Sequence, residues 1–238
     1  LFFCVLMITA CSDEDKDLLY GGETTGTIIK LGAVDYENEQ TRSVAQDNDV
    51  YDRLEYYIMD ENGEPVQGMK SYYIPETEEI VAEGLQEGNY TLLVLGVKGD
   101  SSEDGAVINK LERISDIWLS FPEEQSKPLK ADYYYSKTPF EVVMRKTADG
   151  YKEEVLLDKV IKQKRVMGKV SFDFDYKNKY VRTAMTDKRI SVSHKGLYTS
   201  FSADSVFSGK SADGEWVLEL NSTNEYKLMP SPDPVLMQ

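Results

Sequence analysis

Cysteine is nearly missing from this chain. Of 238 residues only Cys4 and Cys11 carry a thiol, and both lie at the extreme N-terminus. The body that follows has no disulfide to staple it, no cysteine nucleophile and no thiolate metal site, so its stability has to come from an apolar core. Histidine is scarcer still: His194 stands alone. No serine, cysteine or acidic residue is placed at a recognisable spacing to it, so it reads as a structural imidazole rather than a general base. Positive charge is also short, with 27 Lys and Arg against 42 Asp and Glu and a net charge of −15. That balance argues against a nucleic-acid partner or an anionic membrane surface, both of which need clustered Lys and Arg. Gly-rich phosphate loops, nucleophile elbows and metal-ligand clusters do not occur. No cofactor or metal is therefore expected, and the chain does not read as an enzyme.

Apolar runs are brief, and the longest uninterrupted one is Leu1 to Ile8. It is far short of the roughly 20 residues that span a bilayer as a helix. Followed by the small pair Thr9-Ala10 and then Cys11, it reads as the apolar region and cleavage zone of a secretory signal peptide over residues 1–10. Ile8-Thr9-Ala10-Cys11 resembles a bacterial lipobox, in which the thiol is alkylated with diacylglycerol and the chain is cut between Ala10 and Cys11. The resemblance implies an outer-membrane lipoprotein held by its acyl chains at Cys11, each buried methylene contributing roughly 0.8 kcal/mol. Ser12-Asp13-Glu14-Asp15 resembles the surface-export signal of Bacteroidales-type lipoproteins, and the resemblance implies a place on the cell surface.

What is abundant favours strands. Sixteen tyrosines accompany repeated alternation of apolar and polar residues. Residues 11–24, with Gly21-Gly22 among acidic side chains, read as a flexible tether. A first domain is expected over 25–163 and a second over 164–238. Within the first, strands are expected at Thr27–Val34, at Leu54–Met59 closed by an Asp60-Glu61-Asn62-Gly63 turn, along a return from Val66 to Ile74, at Ile80–Ala82 and at Tyr90–Leu95. The looser alternation of the last suits a strand buried on both faces. Glu37 to Asp49 is a polar loop that contains Arg42 and Ser43. Ile108, Leu111, Ile114, Ile117 and Trp118 recur at helical spacing and predict one amphipathic helix over Ala106–Leu119, with strand as the alternative from Asp116 to Phe121.

Two more strands, Ala131–Tyr135 and Pro139–Met144, are expected on either side of a Ser-Lys-Thr-Pro turn. Tyr133-Tyr134-Tyr135 offers either a stacking platform for sugar rings or, more simply, packing between sheets. Beyond Lys162–Arg165, where the chain crosses to the second domain, the strictest alternation runs from Val166 to Tyr176. It sets Asp173 and Asp175 on one face as surface charges. Further strands are expected around Ile190–Val192, carrying His194, at Glu215–Leu220 and at Tyr226–Met229, where Pro230, Pro232 and Pro234 end the sheet.

The order of these features resembles the fimbrillin superfamily of surface fimbriae, including FimB-like anchor lipoproteins. The residues that carry the resemblance are Ile8 to Asp15, Leu54-x-x-x-Ile58-x-Asp60-x-Asn62-Gly63, Gly88-x-Tyr90, and Leu156-x-x-x-x-Ile161-x-x-x-Arg165-Val166-x-Gly168-Lys169-Val170. It implies a mainly β chain of two successive transthyretin-like β-sandwich domains. The second is short or truncated, because 164–238 falls below the roughly 100 residues of a complete sandwich. It also implies assembly: a structural or anchor role in an adhesive filament whose subunits join by β-strand addition. In stalk subunits of that family an arginine-specific protease cuts after the first strand, and Arg42-Ser43 sits where such a cut would fall. The alternative from another class is a glycan-binding surface lipoprotein of a nutrient-uptake system, which would need exposed, co-planar aromatics.

Overall fold

A computed structural model of the chain describes residues 27–31, 51–148, 150–157, 161–171, 189–219, 225–233 and 236–237. All regular structure among them is β, in antiparallel sheets packed face to face, in keeping with the expected sandwich class.

A central sheet is built on β5 (Gly88–Lys98), which lies between β2 (Arg53–Met59) and the long β8 (Asp132–Thr147). Opposite ends of β8 are extended by β9 (Gly150–Leu156) and β10 (Lys164–Arg165). Against one face packs a small sheet in the order β1 (Thr27–Lys30), β4 (Glu79–Glu83), β3 (Lys70–Ile74). Against the other pack β6 (Val107–Ile108), β7 (Ile117–Ser120), β13 (Ser200–Ser202) and β14 (Phe207–Ser208). The same side carries the pair β11 (Gly168–Ser171) with β16 (Glu225–Leu228), and the group of β12 (Arg189–His194), β15 (Gly214–Glu219) and β17 (Leu236–Met237).

The pleat decides this layering. Successive side chains of a strand point to opposite faces, and in β5 Leu92 and Val94 enter one core while Leu93, Leu95 and Val97 enter the other. The neighbours follow suit. Ile58 and Met59 of β2 divide between the two cores, as do Phe140 and Tyr135 of β8. The middle of β5 is therefore fully buried, as its loose alternation suggests. One core is filled from Ile29, Ile80, Ala82 and Leu85. The other is filled from Leu111, Trp118, Leu119, Phe121, Leu197, Phe201 and Trp216, so strands from beyond residue 164 share it with strands from before it. The pairing of β13 with β7 makes the same connection through the main chain.

Three local expectations are corrected. Ala106–Leu119 is not a helix but a short antiparallel hairpin of β6 and β7, with Ile108 opposite Leu119. Helical hydrogen bonds cannot form there because other acceptors hold the amides. Asp116 Oδ2 accepts the N–H groups of Glu112 and Arg113 at 2.9 and 2.8 Å, and the Gly63 carbonyl accepts that of Ile114 at 2.8 Å. Ile108, Leu111, Ile114 and Trp118 still reach one core, by way of strands and a turn.

The expected break at Ser136–Pro139 is also absent, since β8 runs through it. Pro139 pairs with Thr91 on the β5 side, while on the far side β10 reaches only Tyr135 and β9 begins at Glu141. A proline without an N–H is tolerated where no ladder bond is required of it. Finally, the return from Val66 to Ile74 pairs with β2 only at its start, by the Met59–Pro65 bridge and the Val66 N–H to Ile58 carbonyl bond at 3.0 Å. The strand proper, β3, pairs with β4 in the other layer.

Candidate functional site

The residues singled out for processing, Ala10, Cys11, Arg42 and Ser43, lie outside the described residues, as do Asp173 and Asp175. What the structure does place is the first strand. It occupies the edge of its sheet, in register with β4 from Thr27 opposite Ala82 to Lys30 opposite Glu79. Thr27 and Ile29 point inward and Ile28 and Lys30 outward, and Ile29 is completely buried against Ile80 and Ala82. Lys30 Nζ lies 2.7 Å from Glu79 Oε1 on the outer side. This strand contributes alternate side chains to a core whose other walls come from elsewhere.

The three tyrosines of β8 do not form a surface platform, because Tyr133, Tyr134 and Tyr135 are 0, 1 and 6% exposed. Tyr133 meets Phe121 edge-on at 5.3 Å, and Tyr135 meets Trp118 and Phe201 edge-on at 6.1 and 5.0 Å. Tyr134, on the opposite face, meets Tyr51 at 6.0 Å and lies beneath the Arg165 guanidinium. Each hydroxyl is used. That of Tyr133 donates to Asp104 at 3.0 Å and that of Tyr135 to the Ala203 carbonyl. Burial pushes the Tyr135 hydroxyl up to about 12, and Tyr133 is raised further by burial and the adjacent Asp104 carboxylate. Asp104 itself takes the N–H groups of Lys130 and Ala131 at 2.7 and 3.1 Å, fixing the entry to β8. Nothing in its Ser/Asp/Gly surroundings marks it in the sequence.

Asp60 caps its turn. Its Oδ1 accepts the N–H groups of Asn62 and Glu64 at 2.9 and 3.0 Å, and the Glu64 amide first, then those around it, hold the carboxyl below the usual carboxylate range. Gly63 closes the turn at φ 75°. Among the described residues no group of three or more His, Cys, Asp or Glu is placed to hold a metal ion.

A shallow groove of about 550 Å³ lies beside this turn. Its floor includes Asn89, Glu141 and Leu156, which stand in line across β5, β8 and β9, and Thr91 with Pro139. Tyr90 and Phe140 border it, but their rings, stacked at 5.5 Å, belong to the opposite face, where Phe140 is 4% exposed. The groove offers amide and carboxylate groups with no flat aromatic floor for a sugar.

His194 is 4% exposed, at the end of β12. Its Nδ1 accepts the Gly196 N–H at 3.2 Å, and the ring meets Trp216 edge-on at 5.2 Å. Burial lowers its pKa, opposed by the Gln125 main chain and by Asp213. An imidazole so engaged is a packing element rather than an exposed base.

No protein-family model matches the chain, and no curated protein sequence matches it. Among solved structures it is similar to the fimbrial anchor protein Mfa2 from Porphyromonas gingivalis, with 12% sequence identity and a TM-score of 0.48, over 90% of this chain and 77% of that one.

Proposed function

We propose that the chain is a structural component of fimbria-like adhesive filaments at the cell surface, held to the outer membrane by lipid on Cys11, and that it joins other filament subunits by β-strand addition. The observation that carries this reading is the placement of β1. A four-residue strand with an inward Ile29 lies at a sheet edge, preceded in sequence by the lipobox-like Ile8-Thr9-Ala10-Cys11 with its acidic run and followed by a polar stretch holding Arg42-Ser43. A tethered N-terminus and a replaceable first strand suit a subunit that is fixed at one end and engages a neighbour through main-chain hydrogen bonds. The candidate groups for chemistry or sugar stacking that could be placed, His194 and Tyr133 to Tyr135, are used in packing.

The role is tested by deleting the gene and shearing filaments from the cells. An anchor predicts filaments that still polymerise but are shed into the medium, and Cys11→Ala should reproduce the shedding. Filaments unchanged in amount and attachment would refute the proposal. Loss of all polymer would point instead to a stalk subunit that is freed at Ser43.

A further inference from the structure

The single histidine stands where three separate segments meet. From the 121–129 loop, the Gln125 carbonyl accepts Trp216 Nε1–H at 2.6 Å and the Gln125 side chain donates to the Tyr198 carbonyl at 3.2 Å. From the 194–199 turn, the N–H and carbonyl of Leu197 bond Ser211 Oγ and the Ser211 N–H at 2.9 and 2.8 Å. From the 229–233 segment, Ser231 Oγ donates to the Gly196 carbonyl at 2.8 Å and the Pro230 carbonyl accepts the Tyr198 N–H at 2.8 Å. His194 packs on its β15 partner so closely that a Cβ on Gly214 would come within 2.6 Å of its Nε2, and its Nδ1 holds the 194–199 turn through the Gly196 N–H.

Accepting from Gly196 fixes the tautomer: Nδ1 must be bare and Nε2 carries the proton. Among the described residues Nε2 has no hydrogen-bond partner, although the Gln125 main chain favours the cation. A second proton can go only onto Nδ1, where it would face the Gly196 N–H donor to donor and place a charge in a buried pocket. Of the surrounding charges, Asp213 acts on the ring and is itself held by Lys195 at 3.4 Å. Glu123, Glu124 and Asp233 are exposed, Asp233 being paired with Lys210 at 2.9 Å.

We propose that His194 is an acid-operated latch: the neutral ring closes the corner formed by the 121–129 loop, the 194–199 turn and the 229–233 segment, and protonation opens it. The sign follows from linkage. The closed corner prefers the neutral ring, so the latch is fully effective above the free-imidazole value of 6.5 and weakens as pH falls below it. Opening is favoured by at most tenfold per pH unit, until the closed form itself takes up the proton.

The test is amide hydrogen exchange from pH 7 to pH 5, corrected for intrinsic rates, together with NMR titration of the one imidazole. The expected result is a severalfold loss of protection at Gly196, Leu197, Tyr198 and Trp216 below pH 6.5, with Leu93 and Leu95 in β5 unchanged. In His194→Asn, which keeps an acceptor for the Gly196 N–H, that pH dependence should vanish. Protection that does not change with pH, or that falls equally in His194→Asn, overturns the proposal. If the variant does not fold, the wild-type imidazole decides: titration below 6.5 together with the local loss supports the latch, and titration at or above 6.5 overturns it.

Discussion

Asp132 Oδ2 lies 2.7 Å from Lys227 Nζ, which ties the first residue of β8 to a strand almost a hundred positions away. The other carboxylate oxygen lies 3.1 Å from Arg165 Nε, and Asp132 is only 9% exposed. Lys227 also donates to the Lys130 carbonyl at 2.9 Å, and the Arg165 guanidinium stands 5.6 Å from the centre of the Tyr134 ring. One carboxylate thus gathers the start of β8, β10 and β16 at the seam between the central sheet and the layer beyond it.

Removing that charge should be expensive, because two cations with side chains about one-fifth exposed would be left without it. Asp132→Asn is expected to destabilise the fold by about 3 kcal/mol. The check is urea denaturation, which should show a lower midpoint at unchanged slope. Lys227→Met should cost less, since the carboxylate keeps Arg165.

The two-sided burial of β5 makes a second prediction. Leu92→Ala and Leu93→Ala should each cost about 2–5 kcal/mol despite being neighbours, since each leaves a cavity in a different core. Their effects should add to within about 0.5 kcal/mol in the double variant, because the side chains share no partners. Strong coupling in the denaturation energies would mean one continuous core instead of two.

Much of this layering is legible in the sequence where period and burial agree. β2, β4, β5, β12 and β15 were expected from alternation or from short apolar runs and lie within a few residues of those positions. The failures share a physical cause. At Ala106–Leu119 the apolar spacing fits a helix, but Asp116 and the distant Gly63 carbonyl take the amides a helix would need. At Pro139 the local turn signal is real, yet the missing ladder between β9 and β10 removes its penalty. Which strand pairs with which is long-range information: nothing near Val66–Ile74 announces that β3 will leave β2 for β4. The same holds at the candidate sites. Tyr133 to Tyr135 could be picked out as a group, but their burial depends on Phe201, Trp118 and Tyr51, and the bonds around His194, from Gln125 to the Tyr198 carbonyl and from Ser231 to the Gly196 carbonyl, join distant segments.

Gly63 and Gly68 form a matched pair for separating backbone strain from contact. Both have φ near +75°, but a Cβ on Gly63 would lie 2.7 Å from Ile114 Cγ2 while one on Gly68 would meet nothing within 4 Å. Gly68→Ala should carry only the left-handed penalty, about 1–2 kcal/mol. Gly63→Ala should exceed it and disturb the turn that abuts the groove. Thermal melts of the two variants side by side give the comparison.

Acid should act on the same turn. Asp60 is held below its free value of 3.8 by the Glu64 amide and its neighbours, so the folded chain favours the ionised form. Its stabilisation is fully present above 3.8 and is lost as pH falls through the lower folded value. Asp60→Ala should therefore flatten stability against pH below about 4 and leave the His194-linked change between pH 6.5 and 5 untouched.

The central claim is attachment through the N-terminus, and mass spectrometry of the protein extracted from whole cells tests it most directly. The account predicts an N-terminal peptide that begins at Cys11, carries acyl chains and is missing residues 1–10. An unmodified Cys11 still preceded by Ala10 would contradict it.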